Sequence, residues 1–439
     1  MATPGSSGAH SVGANSPSAP DSAPDFLWQR NLYALTLASF FMFMAFGFVF
    51  PFLPLFIGEL GVGDLTQVEI WSGVTAFGQA LVLSLFSPIW GAIADRHGRR
   101  LMVLRVAFAG GVILGLMGLS QNIWQFLALR LIQGALTGVV AASTALASSF
   151  APRERLGYSM GLIQMSLFAG NSVGPLMGGF VADHVGYRWS FTVTALLMLA
   201  AGVITVCFVR ENFVPPPAGE GSAGLRGLVE DIRTRGRDRQ LLAMLFVIFS
   251  IQFGANVVLP ILPLFVQQLD AAQSAATLTG IIYTVAGVVA AVSSVGLGRL
   301  GDRVGHRRVL IVLALGAGLF YIPQTFVTSA LQLIVLRGLL GFFDGGLLPS
   351  ANAIISSGTS GQGRGSHGTT YGLVYLATGM GFGLGPLAGG LMAATLGLRS
   401  VFLITALILL ALGVYLPFVV KKSPPVLATA TVSPEAVSE

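Results

Sequence analysis

Charge is what this sequence has least of. Across 439 residues only 10% are Asp, Glu, Lys or Arg, while 54% are hydrophobic and the mean hydropathy is +0.79. A water-soluble globular chain of this size needs roughly 25% charged residues to cover its core, so that class is excluded. Cysteine is nearly absent: Cys207 stands alone in an apolar segment, which rules out a disulfide within the chain. Histidine is confined to His10, His97, His184, His306 and His367, all in expected tails or loops. With no HExxH, no phosphate-binding loop and no nucleophile beside a base within an apolar run, an intramembrane enzyme, a metal site and a nucleotide-driven pump lose their footing. The first residues, Met1 to Asp25, lack the basic start and apolar centre of a signal peptide and read as a disordered tail.

What is present is a series of long apolar runs. Cutting at clusters of charge and turn residues leaves twelve segments near 31–58, 68–90, 101–119, 123–149, 157–182, 188–209, 240–268, 276–297, 309–328, 330–356, 367–393 and 399–420. Each approaches the ~20 residues that cross a ~30 Å hydrocarbon layer as a helix. The expected fold is an all-α membrane protein of twelve transmembrane helices in two six-helix halves. A tail over 1–29 precedes a bundle over 30–209, a linker over 210–239, a second bundle over 240–420 and a tail over 421–439. Of the 24 Lys and Arg, Arg130 and Arg337 are assigned to spans, Arg188 and Arg399 to one set of loops, and the rest to the opposite loops and the tails. That asymmetry puts both termini in the cytoplasm. It also accounts for the net charge of +6 without nucleic acid as a partner.

The chain repeats itself. Gly91-Ala-Ile-Ala-Asp95-Arg96-His97-Gly98-Arg99-Arg100 returns as Gly298-Arg-Leu-Gly-Asp302-Arg303-Val-Gly305-His306-Arg307-Arg308, with Asp302 lying 207 residues after Asp95. Pro51-Phe-Leu-Pro54-Leu-Phe returns as Pro260-Ile-Leu-Pro263-Leu-Phe, and prolines so placed bend a helix where a cavity or neighbour re-satisfies its carbonyls. Arg130, with Gln133 and Gly134 after it, returns as Arg337, again 207 residues on. An arginine two turns inside a span costs several kcal/mol unless it meets a wet cavity or a partner, or snorkels to the surface. Gly170, Gly174, Pro175, Gly178 and Gly179 in the fifth segment match Gly381, Gly385, Pro386, Gly389 and Gly390 in the eleventh; glycines spaced by four make a flat strip for a neighbouring helix. Two halves repeating in parallel are related by an axis along the membrane normal, an arrangement that places a substrate site between them near the midplane.

Three polar positions within the apolar runs are candidates for chemistry. Gln252 and Asn256 lie one turn apart on the seventh segment, where the first half has Phe43 and Gly47. Asp344 is the only acid assigned deep within a segment. A carboxylate there is costly when charged, so it is disposed to bind and release a proton. Arg337 lies two turns before it, about 10 Å away, which is too far for a direct bond and near enough to bias that proton. The alternative is a structural acid paired across the interface, with the edge acids Glu59, Glu69 and Asp183 as substitutes. The linker, with Pro215-Pro-Pro217 and alternating Arg and acids, has room for one short amphipathic surface helix.

Over nearly all of the chain outside its tails, these motifs resemble the major facilitator superfamily. The loop motif around Asp95, the fourth-segment Arg130-Leu-Ile-Gln133-Gly134 and the fifth-segment GPxxGG resemble the twelve-span drug:proton antiporters, and the MdtG-like multidrug-efflux group in particular. PFLPLF, Gln121 to Arg130 and Asp344-Gly345 carry that narrower likeness. The resemblance implies a monomeric proton-driven exporter of amphipathic small molecules in the cell membrane, needing no cofactor beyond the proton gradient. It implies a cytoplasmic gate of Asp95, Arg96, Arg99, Arg100, Asp302 and Arg303, with Asp95 and Arg99 latching against the eleventh helix. It also implies a cavity floored by the first, fourth, seventh and tenth spans, where Phe43, Gln252 and Asn256 would face the substrate. Two departures stand out: His306 replaces Arg99 in the second copy, and the nearest acid to complete a relay with Arg99 is Glu154. The other reading is a transporter of one endogenous metabolite, such as a sugar or siderophore.

Overall fold

The computed structural model describes residues 25–152, 155–211, 213, 239–269, 275–359 and 365–420. The N-terminal tail, the linker with its expected surface helix, and the tail after 420 lie outside the described residues. Among those described, the chain makes twelve long helical passes and no strand. The first pass is Asp25–Val49, a 3-10 turn over Phe50–Phe52, and Leu53–Glu59; the second is Leu65–His97 and the third Arg99–Gly118. The fourth is split into Ile123–Leu136 and Val139–Phe150, the fifth is Leu156–Val185 and the sixth Tyr187–Phe208. The seventh runs over Arg239–Val257 and Leu262–Leu269, the eighth over Ala275–Val304 and the ninth over His306–Tyr321; the tenth, eleventh and twelfth are Ala330–Thr359, Gly365–Leu396 and Leu398–Val419. Eleven of these are long and apolar enough to cross a bilayer; the other is the fifth, of 30 residues.

Local chemistry explains the breaks. The prolines expected to bend the first span interrupt it, because Pro51 and Pro54 cannot donate to the helical ladder and the chain tightens into a 3-10 turn. The fourth span breaks where Gly138 adopts φ +146°, a conformation that side chains disfavour. Asp64 and Asn122 cap the second and fourth spans, accepting from the Thr66 and Gln125 amides at 3.3 and 2.9 Å.

The halves meet along two seams, the second span against the eleventh and the fifth against the eighth. In the first, Gly73 packs on Pro386 and Leu387, Gly390 on the Glu69 backbone, Gly383 on Ala80 and Gly379 near Ser84. In the second, Gly179 packs on Ala276, Gly280 on Pro175 and Gly287 on Ser172. All these contacts lie in the outer and middle parts of the helices. Toward the side carrying the basic loops, Leu85, Ile89, Met165, Val292, Val295, Leu376 and Met380 are exposed. The glycine contacts close the outer side, whereas Gly91, Gly161, Gly296 and Gly298, toward the opposite ends of the second, fifth and eighth spans, have no neighbour within 4 Å.

Candidate functional site

The space between the halves is shaped by glycines. Gly170, Gly174 and Gly178 lie on one face of the fifth span, where a Cβ on Gly170 would come within 2.7 Å of Phe43 and one on Gly174 within 2.5 Å of the Met44 carbonyl. They lock the fifth span to the first within the same half. Gly179 and the Pro175 carbonyl face the other way, toward the eighth span across the seam, while the Pro175 ring lies against Gly47 of the first span. The eleventh span repeats this division: Gly381, Gly385 and Gly389 meet the seventh span, while Pro386 and Gly390 meet the second.

That packing places the expected cavity residues. Phe43 is buried against Gly170, and Gln252 takes the equivalent place against Gly381. Gln252 and Asn256 are half-buried with their β-carbons on the glycine strip of the eleventh span, and the Asn256 amide donates to the Gln252 carbonyl at 2.7 Å. They sit at the joint between the seventh and eleventh spans, with only part of each side chain free for a ligand.

Arg130 is buried, donates from Nη1 to Gln133 Oε1 at 2.9 Å, and holds its guanidinium 4.7 Å from the Phe50 ring centre. Arg337 is also buried, 5.4 Å from the Tyr321 ring centre and 5.7 Å from that of Phe402. Each keeps a buried guanidinium nitrogen without a hydrogen-bond partner, which only a cavity, an aromatic shell or a ligand can make tolerable. Asp344 is partly exposed on the tenth span and has no hydrogen-bond or ion-pair partner among the described residues; Arg337 precedes it on the same helix. The two lie seven residues apart on this helix, Ala330–Thr359.

At the cytoplasmic end the arginines do something the sequence did not announce. The Asp95 side chain lies outside what is described, as does Glu154, so the Asp95–Arg99 latch is untested by these contacts. Arg99 donates to the Ala145 carbonyl at 3.1 Å and to Ser148 Oγ at 3.3 Å, holding the end of the fourth span. Arg100 donates to the Val206 carbonyl at 2.8 Å. The amides of both residues are held by Glu211, at 3.0 and 2.7 Å, so that one carboxylate caps the third span. Sequence reading missed Glu211 because it stands 112 residues from Arg99. The available signal was that Gly98 starts a helix without a side-chain cap. In the second copy, His306 pairs with Asp302 at 3.1 Å, and Arg303, like Arg96 in the first copy, is exposed. Arg105, counted with the loops from sequence, lies inside the third span with its guanidinium 3.6 Å over the Trp90 ring. Since Trp90 lies near the cytoplasmic end of the second span, the charge asymmetry keeps its sense.

A model of the Major Facilitator Superfamily matches residues 35–296 and 244–437. The chain belongs to that superfamily. It is 37% identical over 396 residues to multidrug resistance protein MdtG of Escherichia fergusonii, covering 90% of this chain and 95% of that protein. With MdtG of Yersinia enterocolitica it shares 35% over 405 residues, 92% of this chain and 96% of the relative. Among solved structures, a bacterial homologue of the lysosomal transporter Spinster, inward-facing and occupied, superposes with a TM-score of 0.72 at 15% identity, over 92% of this chain and 100% of that one. The nucleoside transporter NupG gives 0.71 at 14%, over 89% of this chain and 99% of that one. At such identities these superpositions speak for the fold alone. The chain is thus a multi-pass membrane transporter of the major facilitator type, grouped by sequence with the MdtG proteins.

Proposed function

We propose that this transporter exports structurally varied amphipathic small molecules in exchange for entering protons, by alternating exposure of one central site. The observation that carries the reading is Asp344: an acid on a membrane-spanning helix, unpaired among the described residues, within electrostatic reach of Arg337. A carboxylate so placed is unstable as a lone charge and gains by taking up a proton. Arg337, itself short of partners, favours giving that proton up again. One charge moved across ~100 mV supplies about 2.3 kcal/mol, enough to drive a substantial outward gradient. The multidrug naming of the relatives supports a broad substrate range, and the glycine-lined joints at Phe43, Gln252 and Asn256 are the positions that would set its limits.

Everted vesicles loaded by an imposed pH gradient test this directly, with cationic, neutral and anionic amphiphiles as probes. Asp344→Asn is expected to abolish accumulation against a gradient while ligand binding persists and no longer responds to pH. Uphill transport with proton uptake in that variant would remove Asp344 from the role. Selective transport of one polar metabolite, indifferent to pH, would overturn the antiport reading.

A further inference from the structure

The cytoplasmic loop motif has a counterpart on the outside that the half-length repeat conceals. The pattern Gly-x-x-Ala-Asp-x-x-Gly-x-Arg runs from Gly91 to Arg100 and again from Gly179 to Arg188, at the outer end of the fifth span. It recurs with small changes from Gly298 to Arg307 and from Gly390 to Arg399. The four copies share one geometry. Gly98, Gly186, Gly305 and Gly397 have φ of 96°, 104°, 94° and 85°, and each donates its amide back to the residue four before it at 2.8–3.1 Å. The closing arginines each reach the end of another helix: Arg100 donates to the Val206 carbonyl, Arg188 to Gly118, Arg307 to Pro417 and Arg399 to Thr325, at 2.6–3.1 Å. Two copies lie at the inner surface and two at the outer.

The four differ in the acid. Asp95, Asp183 and Asp302 occupy three of the positions, and Ala394 the fourth. Because the molecule is closed on the outside, an outer copy shows the acid engaged. Asp183 accepts from the Ala276 amide at 3.3 Å, from the Thr277 amide at 2.7 Å and from the Thr277 hydroxyl at 2.6 Å. Those are the second and third residues of the eighth span, so a carboxylate of one half caps the first turn of a 30-residue helix of the other. At the fourth copy the matching contact is between Gly390 and Glu69. The second span there begins four residues earlier, at Leu65, and is capped by its own Asp64. The amides near Glu69 are past its first turn and already used, so an acid at 394 would find no donor.

We propose that Asp183 is the outer latch of the transport cycle, a positioning residue whose carboxylate holds the outer side shut by capping the eighth span across the seam. The latch must release before the outer side opens. The proposal rests on the alternating-access reading, but its test requires neither substrate nor proton, so the two can fail separately. In a Cys207→Ser background, Ser172→Cys places one thiol beneath the outer seam, against Gly287. Labelling by a membrane-impermeant maleimide is then measured from outside in intact cells and from inside in everted vesicles.

Asp183→Ala is expected to speed outside labelling about fivefold to tenfold and to slow inside labelling, as loss of a charged cap implies. Asp183→Asn should fall between it and the parent. Thr277→Val, which removes one donor and leaves the acid, should speed outside labelling about two- to threefold. It decides the matter alone if Asp183→Ala does not reach the membrane. Faster labelling from both sides would mean general loosening and would overturn the latch, as would unchanged rates in both variants at parental protein levels.

Discussion

The two seams between the halves are built from the same parts and closed by different physics. Between the fifth and eighth spans, Gly179 and Gly280 bring the backbones together and Asp183 adds a satisfied charge at the outer edge. Between the second and eleventh, Gly390 and Gly73 make the same approach, but the acid nearby is Glu69, on the other helix, with 3% of its surface exposed and no hydrogen-bond or ion-pair partner among the described residues. One carboxylate gains from closure, since amides it would lose to water are aimed at it. The other is charged with difficulty while the seam is shut. A pseudo-symmetric gate can thus be closed tightly on one side and held under electrostatic tension on the other.

The largest effect should come from removing what the seams share. A side chain at Gly179 or Gly390 would drive a Cβ into the backbone of Ala276 or Glu69, where no rotamer can give way. Gly179→Val and Gly390→Val are each expected to reduce transport more than tenfold and to leave the Ser172→Cys site open to outside reagent. If either labels like the parent, close backbone approach is not what closes that seam.

Next in size is a control on the comparison. Glu211 caps the third span within one half, so Glu211→Ala should lower thermal stability by about 1 kcal/mol without changing the ratio of inside to outside labelling. A changed ratio would show that the cap serves the gate as well as the half that contains it.

Smaller shifts separate the acids by sign. Glu69→Gln removes a poorly solvated charge from the closed seam and is expected to slow outside labelling about twofold, opposite to Asp183→Asn. The same sign in both variants would erase the distinction drawn between the seams. Ala394→Asp, which completes the fourth copy of the motif, should not create a latch; by adding a like charge toward Glu69 it should speed outside labelling about twofold. The smallest change is expected from Gln252→Leu with Asn256→Leu, which should reorder substrate preference severalfold with protein levels intact. An unaltered ranking would assign both amides to the joint with the eleventh span alone.

Much of the architecture was legible because charge is so sparse that each cluster marks a helix end, and the recurrence of Asp95 as Asp302 exposed the two halves. Arg130, Arg337 and Asp344 were legible as isolated polar groups in apolar runs. The side that Gln252 and Asn256 face was not, because helical spacing fixes which residues share a face and leaves its neighbour to the glycine strip of another helix. Asp183 was legible only as an acid near the membrane edge. Its motif repeats within a half, on a helix of opposite direction, and a comparison of halves passes over it. Glu211 depends on a contact between distant parts of the chain, for which local pattern holds no sign.

The four arginine-to-carbonyl bonds have a mechanical meaning. Arg100 and Arg188 tie the third and sixth spans at their inner and outer ends, and Arg307 and Arg399 do the same for the ninth and twelfth. From Arg100 to Gly118 the third span rises about 27 Å, close to the thickness of a hydrocarbon core. Each strapped pair is a strut about as long as the hydrocarbon core is thick, with a cation tied at either end. Under the alternating access proposed above, struts that move as rigid units would show the bilayer the same height of apolar wall in both states, and thinning or thickening it should strain both nearly alike.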